Sequence, residues 1–470
     1  MTDGVRPSGP SATGHKSISS AHIVFFVVAA AAPMTAVLGT STAAFAFGNG
    51  PGVPVVFLMI GGLYLLFSAG FTAMSPHVAS AGGFYAYVTF GLGRRAGGAV
   101  AAVAVATYQA IAMSTYGLFG FFATQTLRTG LGWAPPWWIP TLLLAGVVHI
   151  CGRRAVTFSG NVLAFCLLGE VSILLALGIA ILAHHTGPFL AIASPSTIFG
   201  PGLGISIVFV VVSFIGFEAT VIFGEEARHP ARDIPRATYV AVILIALFYS
   251  FSTWTITLYH GPSAIKAAAL ADAGNLYLTP IRALLGWPAF VITQGLLLTS
   301  TFACILSFHA TIARYLSGIA REGLCDARLG SLHPVHGSPH RAGLVQTLVS
   351  IAMVLISALL AIDPYAGMFA WAGAFASLGI LAMQVLTSAA VFTFFRRTAL
   401  PIGKGVSFIA PLTSAAALMA ALVMATANLG LIAGTDSSAV FVMPVLLVLI
   451  AAAGWFYQPS SPDTALSLEA

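Results

Sequence analysis

Apolar stretches of about 20 residues follow one another along almost the whole chain, and they constrain the fold more than any other feature. A stretch of this length crosses the hydrocarbon core of a bilayer as an α-helix. Only 7% of the 470 residues are charged, too few to keep the surface of a soluble domain hydrated. We therefore predict an all-α membrane protein with twelve transmembrane helices. The predicted spans are 22–48, 53–73, 97–127, 138–151, 157–183, 203–224, 237–260, 285–320, 343–361, 365–395, 405–432 and 438–457.

The segments between these spans are too short to hold an extramembrane domain. We predict a disordered cytoplasmic N-terminus over 1–20, one transmembrane transporter domain over 21–458 and a cytoplasmic C-terminal tail over 459–470. The first apolar stretch carries Pro33 and Gly39 and is too long for a cleaved signal peptide. The four cysteines lack the spacing of a disulfide framework or a metal site, so no metal is expected.

Basic residues indicate the orientation of the chain. With both termini in the cytoplasm, three of the 19 Lys and Arg fall outside, namely Arg128, Lys266 and Arg282, which leaves 16 inside. This asymmetry follows the positive-inside rule and predicts a multi-pass protein of the cytoplasmic membrane, in a bacterium. The charges are scattered over separate loops, which argues against nucleic-acid binding.

Helix-breaking residues cluster in two of the spans. We expect the first span to break at Pro33 and again around Gly39-Thr40-Ser41, and the sixth to break near Gly216. Two interrupted helices five spans apart are typical of an inverted repeat of five plus five helices, with the last two spans additional. The alternative is that these glycines only permit close helix packing.

An interrupted helix offers unpaired main-chain groups in the membrane. Free N–H groups at Gly39, Thr40 and Ser41 would bind a carboxylate, helped by the positive end of the following half-helix. Free carbonyl groups near Phe214, Ile215 and Gly216 would accept hydrogen bonds from an ammonium group. That pairing suits a zwitterion such as an amino acid.

Two acidic residues, Glu170 and Glu218, lie within predicted spans. An intramembrane carboxyl group is costly and is by default a functional candidate. Removal from water favours its neutral form, and such a group can carry a proton through a transport cycle. The alternative is a protonated structural Glu that bonds to a neighbouring helix.

Four sequence blocks resemble those of the amino acid–polyamine–organocation superfamily of permeases. They are Gly39-Thr40-Ser41 in span one, SAGGFYAYVTFGLGRR from Ser80 to Arg95, SFIGFEATVIFGEEARHPARDIPR from Ser213 to Arg236, and the stretch from Arg314 to Pro339, which covers the end of span eight and the loop after it. They occur in the family's order over spans one to nine.

The resemblance implies a LeuT-like inverted-repeat fold, with the substrate between spans one, three, six and eight. It places the substrate carboxylate at the span-one motif and the amine at the carbonyl groups near Phe214 and Ile215. It places the substrate side chain near Tyr108, Gln109 and Ala112 of span three. It also makes Glu218 a proton-sensing or gating residue.

Two departures from the family pattern affect these expectations. Ser41 stands where the motif has Gly, which narrows the backbone freedom there. Some proton-driven relatives carry a Lys in span five where sodium-driven ones bind a cation, whereas this chain has Glu170 near that position. Glu170 would then be a protonatable group or part of a cation site.

The predicted function is secondary active transport of an amino acid by alternating access, as proton symport. Protons are favoured over sodium, the partners are the substrate and membrane lipid, and no cofactor is expected. Alternatives are an amino acid/amine antiporter and a non-transporting sensor on the same fold. The sequence lacks a P-loop, an HExxH motif and a nucleophile elbow, which argues against an ATP-driven pump or an enzyme. The substrate's identity and the oligomeric state stay open.

Overall fold

A computed structural model describes residues 19–78, 83–153, 156–189, 192, 194–218, 220–221, 227–334, 336–398 and 400–457. The predicted C-terminal tail lies outside these ranges, as does the predicted N-terminus up to residue 18. So do Ser80, Glu225 and Glu226 of the motif blocks. The regular secondary structure of the described ranges is helical, which confirms the all-α prediction.

The first part of the chain runs from the interrupted first span through the interrupted sixth. Its helices are α1 (Ser20–Ala31), α2 (Pro33–Thr35), α3 (Ser41–Phe47), α4 (Val53–Met74), α5 (Gly83–Leu92), α6 (Arg94–Leu131), α7 (Trp138–Arg153), α8 (Val156–His184), α9 (Pro195–Ile198) and α10 (Leu203–Ser213). A π-helical segment, Ala36–Thr40, joins α2 to α3.

The second part of the chain holds the remaining helices. They are α11 (Pro230–His260), α12 (Ile265–Ala271), α13 (Leu278–Arg321), α14 (His340–Leu359), α15 (Ala370–Thr398), α16 (Ala410–Ala427), α17 (Leu429–Ala433) and α18 (Val442–Phe456). α13 is kinked at Gly286, whose φ of 85° departs from helical values.

Within the described ranges, ten helical segments are long and apolar enough to cross a membrane. Two shorter apolar helices, α7 and α10, lie at the predicted fourth and sixth spans. Helix α10 is short because the chain leaves the helical conformation after Ser213. The chain is therefore a multi-pass membrane protein.

Helices five predicted spans apart pack against each other. Helix α4 contacts α11, α6 contacts α13, and α7 contacts α14. Helices α1, α3 and α4 also contact α10 or α11, whereas α6, α7, α13 and α14 contact one another. The interrupted helices therefore pack in one group and the helix that carries Tyr108 in another, and the two groups meet where α13 contacts α1 and α2.

The loop between α11 and α13 covers the end of the first span. Helix α12 packs against α3, and Lys266 Nζ donates a 2.9 Å hydrogen bond to the Gly48 carbonyl oxygen. Next to it, the Asn49 N–H donates to Ser206 Oγ at 2.9 Å. These bonds fasten the end of α3 to both this loop and α10.

Candidate functional site

The first span is interrupted between α1 and α2. Ala32 has φ 44° and ψ 74°, the left-handed conformation, and Pro33 follows it. Proline has no N–H to continue a helix, so the break at Pro33 is confirmed. The Ala36 N–H bonds to the Ala32 carbonyl oxygen at 2.9 Å and closes the first turn of the second half-helix. The N–H groups of Met34 and Thr35 lie at the N-terminus of this half-helix and have no main-chain acceptor within it.

The prediction of a second break at Gly39-Thr40-Ser41 is wrong. This stretch has helical dihedral angles, and the Ser41 N–H bonds to the Ala36 carbonyl oxygen across a π-helical turn. The Ser41 hydroxyl donates to the Val37 carbonyl oxygen at 2.5 Å and lies 2.9 Å from the Tyr277 hydroxyl. The main-chain N–H groups are used within the helix because a single wide turn accommodates the irregularity. The break lies about two helical turns earlier.

Glu170 of α8 reaches the break in the first span. Its Oε2 accepts a 3.3 Å hydrogen bond from the Met34 N–H and a 2.7 Å bond from the Ser300 hydroxyl of α13. The Thr35 hydroxyl donates to Ser300 Oγ at 3.2 Å. Only 2% of the Glu170 side chain is exposed. One buried carboxyl group therefore joins α8, the second half of span one and α13.

The sixth span is interrupted directly after α10. The Phe214 and Ile215 N–H groups bond to Val211 and Val212 in tightened turns, and Gly216 then adopts φ 114°. That φ favours glycine, because a side chain would clash with the main chain. The predicted discontinuity of the sixth helix is therefore confirmed.

Glu218 caps this second break. Its Oε2 accepts a 2.9 Å hydrogen bond from the Gly216 N–H. Its Oε1 accepts a 3.5 Å bond, at the limit of hydrogen-bonding distance, from the Tyr108 hydroxyl of α6. The Glu218 side chain is 2% exposed. Each carboxyl group thus has a main-chain amide and a hydroxyl as its partners, and all four partners are neutral.

Phe214 and Ile215 are both buried at the second break. The Phe214 ring packs against Tyr64 of α4 at a centroid distance of 5.1 Å. The main-chain carbonyl oxygen of Phe214 already accepts a 3.4 Å hydrogen bond from the Phe217 N–H. The expected ammonium acceptors at this break are therefore partly used within the turn, and the Glu218 carboxyl group lies beside them.

Tyr108 and Gln109 point in different directions although both were expected at the substrate. Neighbouring residues on an α-helix are about 100° apart around its axis. Tyr108 faces Glu218, whereas the Gln109 amide donates to Ser350 Oγ of α14 at 3.0 Å. The structure therefore brings Tyr108 together with Gly216 and Glu218 and places Gln109 against α14.

Several residues of the first break escaped the sequence-based prediction. Ala32 gave no signal, because alanine rarely adopts the left-handed conformation. Ser300 is one hydroxyl among several in a long apolar helix, and Tyr249, which donates to the Ala31 carbonyl oxygen at 3.1 Å, lies in another. Their partners are remote in sequence. The nearest sequence signal was Pro33, which marked the break that they surround.

Comparison with curated proteins finds distant relatives that are transporters. The branched-chain amino acid permease BcaP of Bacillus subtilis (strain 168) is 24% identical over 400 residues, 77% of this chain and 78% of that protein. Cationic amino acid transporter 4 of Homo sapiens is 24% identical over 281 residues, 58% of this chain but 40% of that protein. An uncharacterized transporter of Rhizobium meliloti (strain 1021) is 26% identical over 285 residues, 59% of each chain.

The family model described as Amino acid permease matches residues 22–463, which is nearly the whole chain. That range includes both helix breaks and both buried carboxyl groups. The chain therefore belongs to the amino acid permease family, a family of transporters rather than enzymes.

Proposed function

We propose that this protein is a proton-coupled amino acid symporter of the cell membrane that works by alternating access with both termini in the cytoplasm. One observation carries the proposal: each of two helix breaks has a buried carboxyl group hydrogen-bonded to a main-chain amide at the break. A break supplies main-chain dipoles for a small zwitterion, and the carboxyl group supplies a site for a proton.

The proposed architecture is a LeuT-like fold of twelve spans with a five-plus-five inverted repeat. Contacts between α4 and α11, α6 and α13, and α7 and α14 support it, because each joins helices at equivalent places in the two halves. The short helices α7 and α10 supply the fourth and sixth spans. Substrate exchange would follow movement of the group with the interrupted helices against the group with α6.

The substrate carboxylate is proposed to bind at the first break, beside the main-chain N–H groups at the start of α2, where the Thr35 N–H would donate to it and the Met34 N–H donates to Glu170. These groups replace Gly39, Thr40 and Ser41 in that role, because the latter use their main chain within a helix. The ammonium group would lie near Ile215, Gly216 and Glu218. The names of the relatives make branched-chain and cationic amino acids the first substrates to test.

Glu218 is the proposed proton-coupling group, with Glu170 as a second candidate. When Glu218 is ionised, it accepts hydrogen bonds from Gly216 and Tyr108. A proton on the carboxyl group would weaken at least one of these bonds, because a protonated oxygen becomes a donor. Proton binding would therefore change the geometry of the break that holds the ammonium group.

The test compares Glu218→Gln with the wild-type protein in proteoliposomes. A thermal-shift screen of the twenty amino acids and common amines first identifies the ligand, since a bound ligand raises the apparent stability. The labelled ligand is then used in counterflow and in uptake driven by a pH gradient. We expect Glu218→Gln to retain counterflow and to lose accumulation against a gradient. The control is Asp436→Asn, which neutralises an exposed loop carboxylate.

Accumulation that is unchanged in Glu218→Gln would exclude Glu218 as the coupling group. Glu170→Gln, measured in the same vesicles, decides whether the second carboxyl group takes that role. Uptake that requires a preloaded amine and ignores the pH gradient would identify an antiporter. Ligand binding without any flux would identify a sensor.

A further inference from the structure

A row of three buried tyrosines leads from Glu218 toward the loops that the predicted topology places in the cytoplasm. Tyr108 lies on α6, Tyr315 on α13 and Tyr85 on α5, and Glu322 ends the row just after α13. The three tyrosine side chains are 2%, 1% and 7% exposed in that order. Burying a hydroxyl group costs free energy unless the group is hydrogen-bonded, and two of these three hydroxyl groups bond to a carboxyl group.

Both ends of this tyrosine row contact a carboxyl group directly. The Tyr108 hydroxyl lies 3.5 Å from Glu218 Oε1. At the other end, the Tyr85 hydroxyl donates a hydrogen bond to Glu322 Oε2. The row therefore begins at the proposed coupling group and ends at a second acid.

Tyr315 joins the two ends. Its ring lies edge-on to that of Tyr108, with the centroids 6.1 Å apart. It also lies near enough to Tyr85 and Glu322 for electrostatic interaction with both. Within the described part of the chain no side chain is hydrogen-bonded to its buried hydroxyl group, and the Tyr85 main-chain N–H lies near enough to act on it. Continuity of the row therefore depends on a turn of the Tyr315 hydroxyl group toward its two neighbouring hydroxyl groups.

The loop end of the row suits the release of a proton. Glu322 is partly exposed to solvent. Burial raises the pKa of Tyr85, and the hydrogen bond and charge of Glu322 add to the rise. The positive charge of Arg94 lowers the pKa of Tyr85, but it is the smallest of the effects on that pKa. Tyr85 therefore stays a neutral hydroxyl group that donates to Glu322, while Glu322 remains in contact with solvent.

We propose that the hydroxyl groups of Tyr108, Tyr315 and Tyr85 conduct protons between Glu218 and Glu322. The inference rests on the proposed proton coupling and adds its route to the cytoplasm. Protonated Glu218 gives its proton to the Tyr108 oxygen while Tyr108 passes its own proton to Tyr315. The Tyr315 hydroxyl group then turns to Tyr85 and passes a proton to it, and Tyr85 gives its own to the Glu322 carboxylate, which releases it to water.

Each tyrosine in this transfer accepts one proton and loses one, so all three are neutral before and after it. Rotation of the hydroxyl groups restores the starting orientation, and no electron changes hands. A purely structural role is the competing explanation: the rings would fill the space between α5, α6 and α13, and the Tyr85–Glu322 bond would only tie α5 to α13.

Tyr315→Phe distinguishes these two roles. It removes one hydroxyl group and keeps the ring, and it leaves the Tyr108–Glu218 and Tyr85–Glu322 contacts intact. The control is Tyr116→Phe, which removes the hydroxyl group of another tyrosine that is 1% exposed, on α6. Both variants are reconstituted, and counterflow of the ligand found by thermal shift shows that each is folded and exchanges substrate.

We expect Tyr315→Phe to retain counterflow and to slow substrate-coupled proton flux about a hundredfold, the low end for loss of a positioned proton-transfer group. The flux is measured with a pH-sensitive dye in the vesicles. Wild-type proton flux should also slow in deuterated water, whereas counterflow, which needs no net proton transfer, should slow much less. Tyr116→Phe should match the wild type in every assay.

Proton flux through Tyr315→Phe at the wild-type rate would overturn the relay. So would an equal loss of counterflow and proton flux in a folded variant, which is the result of a purely structural role. If the wild-type protein itself moved no protons, the proposed coupling would fail together with the relay. Normal wild-type coupling with an unaffected Tyr315→Phe would overturn the relay alone.

Discussion

The two helix breaks hold their carboxyl groups in different ways. Glu218 accepts from the Gly216 N–H, two residues before it, and from the Tyr108 hydroxyl at 3.5 Å. Glu170 accepts from Met34 and Ser300, which are 136 and 130 residues away in sequence. Glu218 therefore closes a local turn, whereas Glu170 ties three helices together.

This difference suits Glu218 and Glu170 to different roles. A local cap can gain and lose a proton in every cycle without disturbing the packing of helices around it. A residue that joins α8, α13 and the second half of span one fixes how that half-helix docks. Two residues of the same type, equally buried, therefore separate into a group suited to titration and a group suited to holding the site together.

Truncation of the two glutamates to alanine gives the largest expected effect. Glu170→Ala leaves two buried donors without their acceptor, so we expect a loss of about 3 kcal/mol, at about 1–3 kcal/mol for each unsatisfied group. Glu218→Ala leaves the Gly216 N–H without its acceptor, and it should lower the free energy of unfolding by about half as much. The free energies of unfolding in detergent, from denaturant titration, measure both. Equal losses would remove the distinction between the two sites.

The glycine of the second break gives the next largest effect. Gly216 has φ 114°, so Gly216→Ala should lower the free energy of unfolding by about 2 kcal/mol, the usual cost of a strained backbone conformation. The same titration measures it. Gly62→Ala is the control, since an added Cβ there meets no atom within 4 Å. A neutral Gly216→Ala would mean that the break relaxes freely.

The first break should respond with the opposite sign. Ala32 holds φ 44° without being glycine. Ala32→Gly relieves about 1 kcal/mol of left-handed strain and loses about half of that to the greater freedom of the unfolded chain. We expect a small gain in stability, measured as a rise in the unfolding midpoint. A loss would show that packing of the Ala32 methyl group outweighs the strain.

The smallest effect on stability concerns the long bond between the two groups of helices. Tyr108→Phe removes a hydrogen bond of 3.5 Å, which at that length should contribute no more than about 0.5 kcal/mol to stability. Its effect on proton-driven uptake should be far larger. A stability loss comparable to that of Glu170→Ala would make Tyr108 a structural residue instead.

Much of the fold and part of the site could be predicted from the sequence. The apolar runs indicated the membrane helices, and Pro33 and Gly216 indicated the breaks, because both residue types act on the local backbone. Glu170 and Glu218 were recognisable because an acid in an apolar helix is rare. These signals are local, so one sequence is enough to detect them.

Other features depend on contacts that a sequence does not reveal. The motif at Gly39-Thr40-Ser41 suggested an unwound segment, yet a π-helical turn keeps it helical. Gln109 was expected beside Tyr108, but one step along a helix turns its side chain toward α14. The partners of Glu170 come from two other helices, and only the packed structure brings them together.

The hydrogen bond from Lys266 to the Gly48 carbonyl oxygen has a consequence for how the protein can be controlled. In the proposed orientation this lysine faces the cell exterior, so reagents that cannot cross the membrane have access to its side of the protein. Acylation of the amine would remove its positive charge from the end of α3 and release that end from the loop. Modification from the exterior would thus act on the second half of span one, which begins at the first helix break.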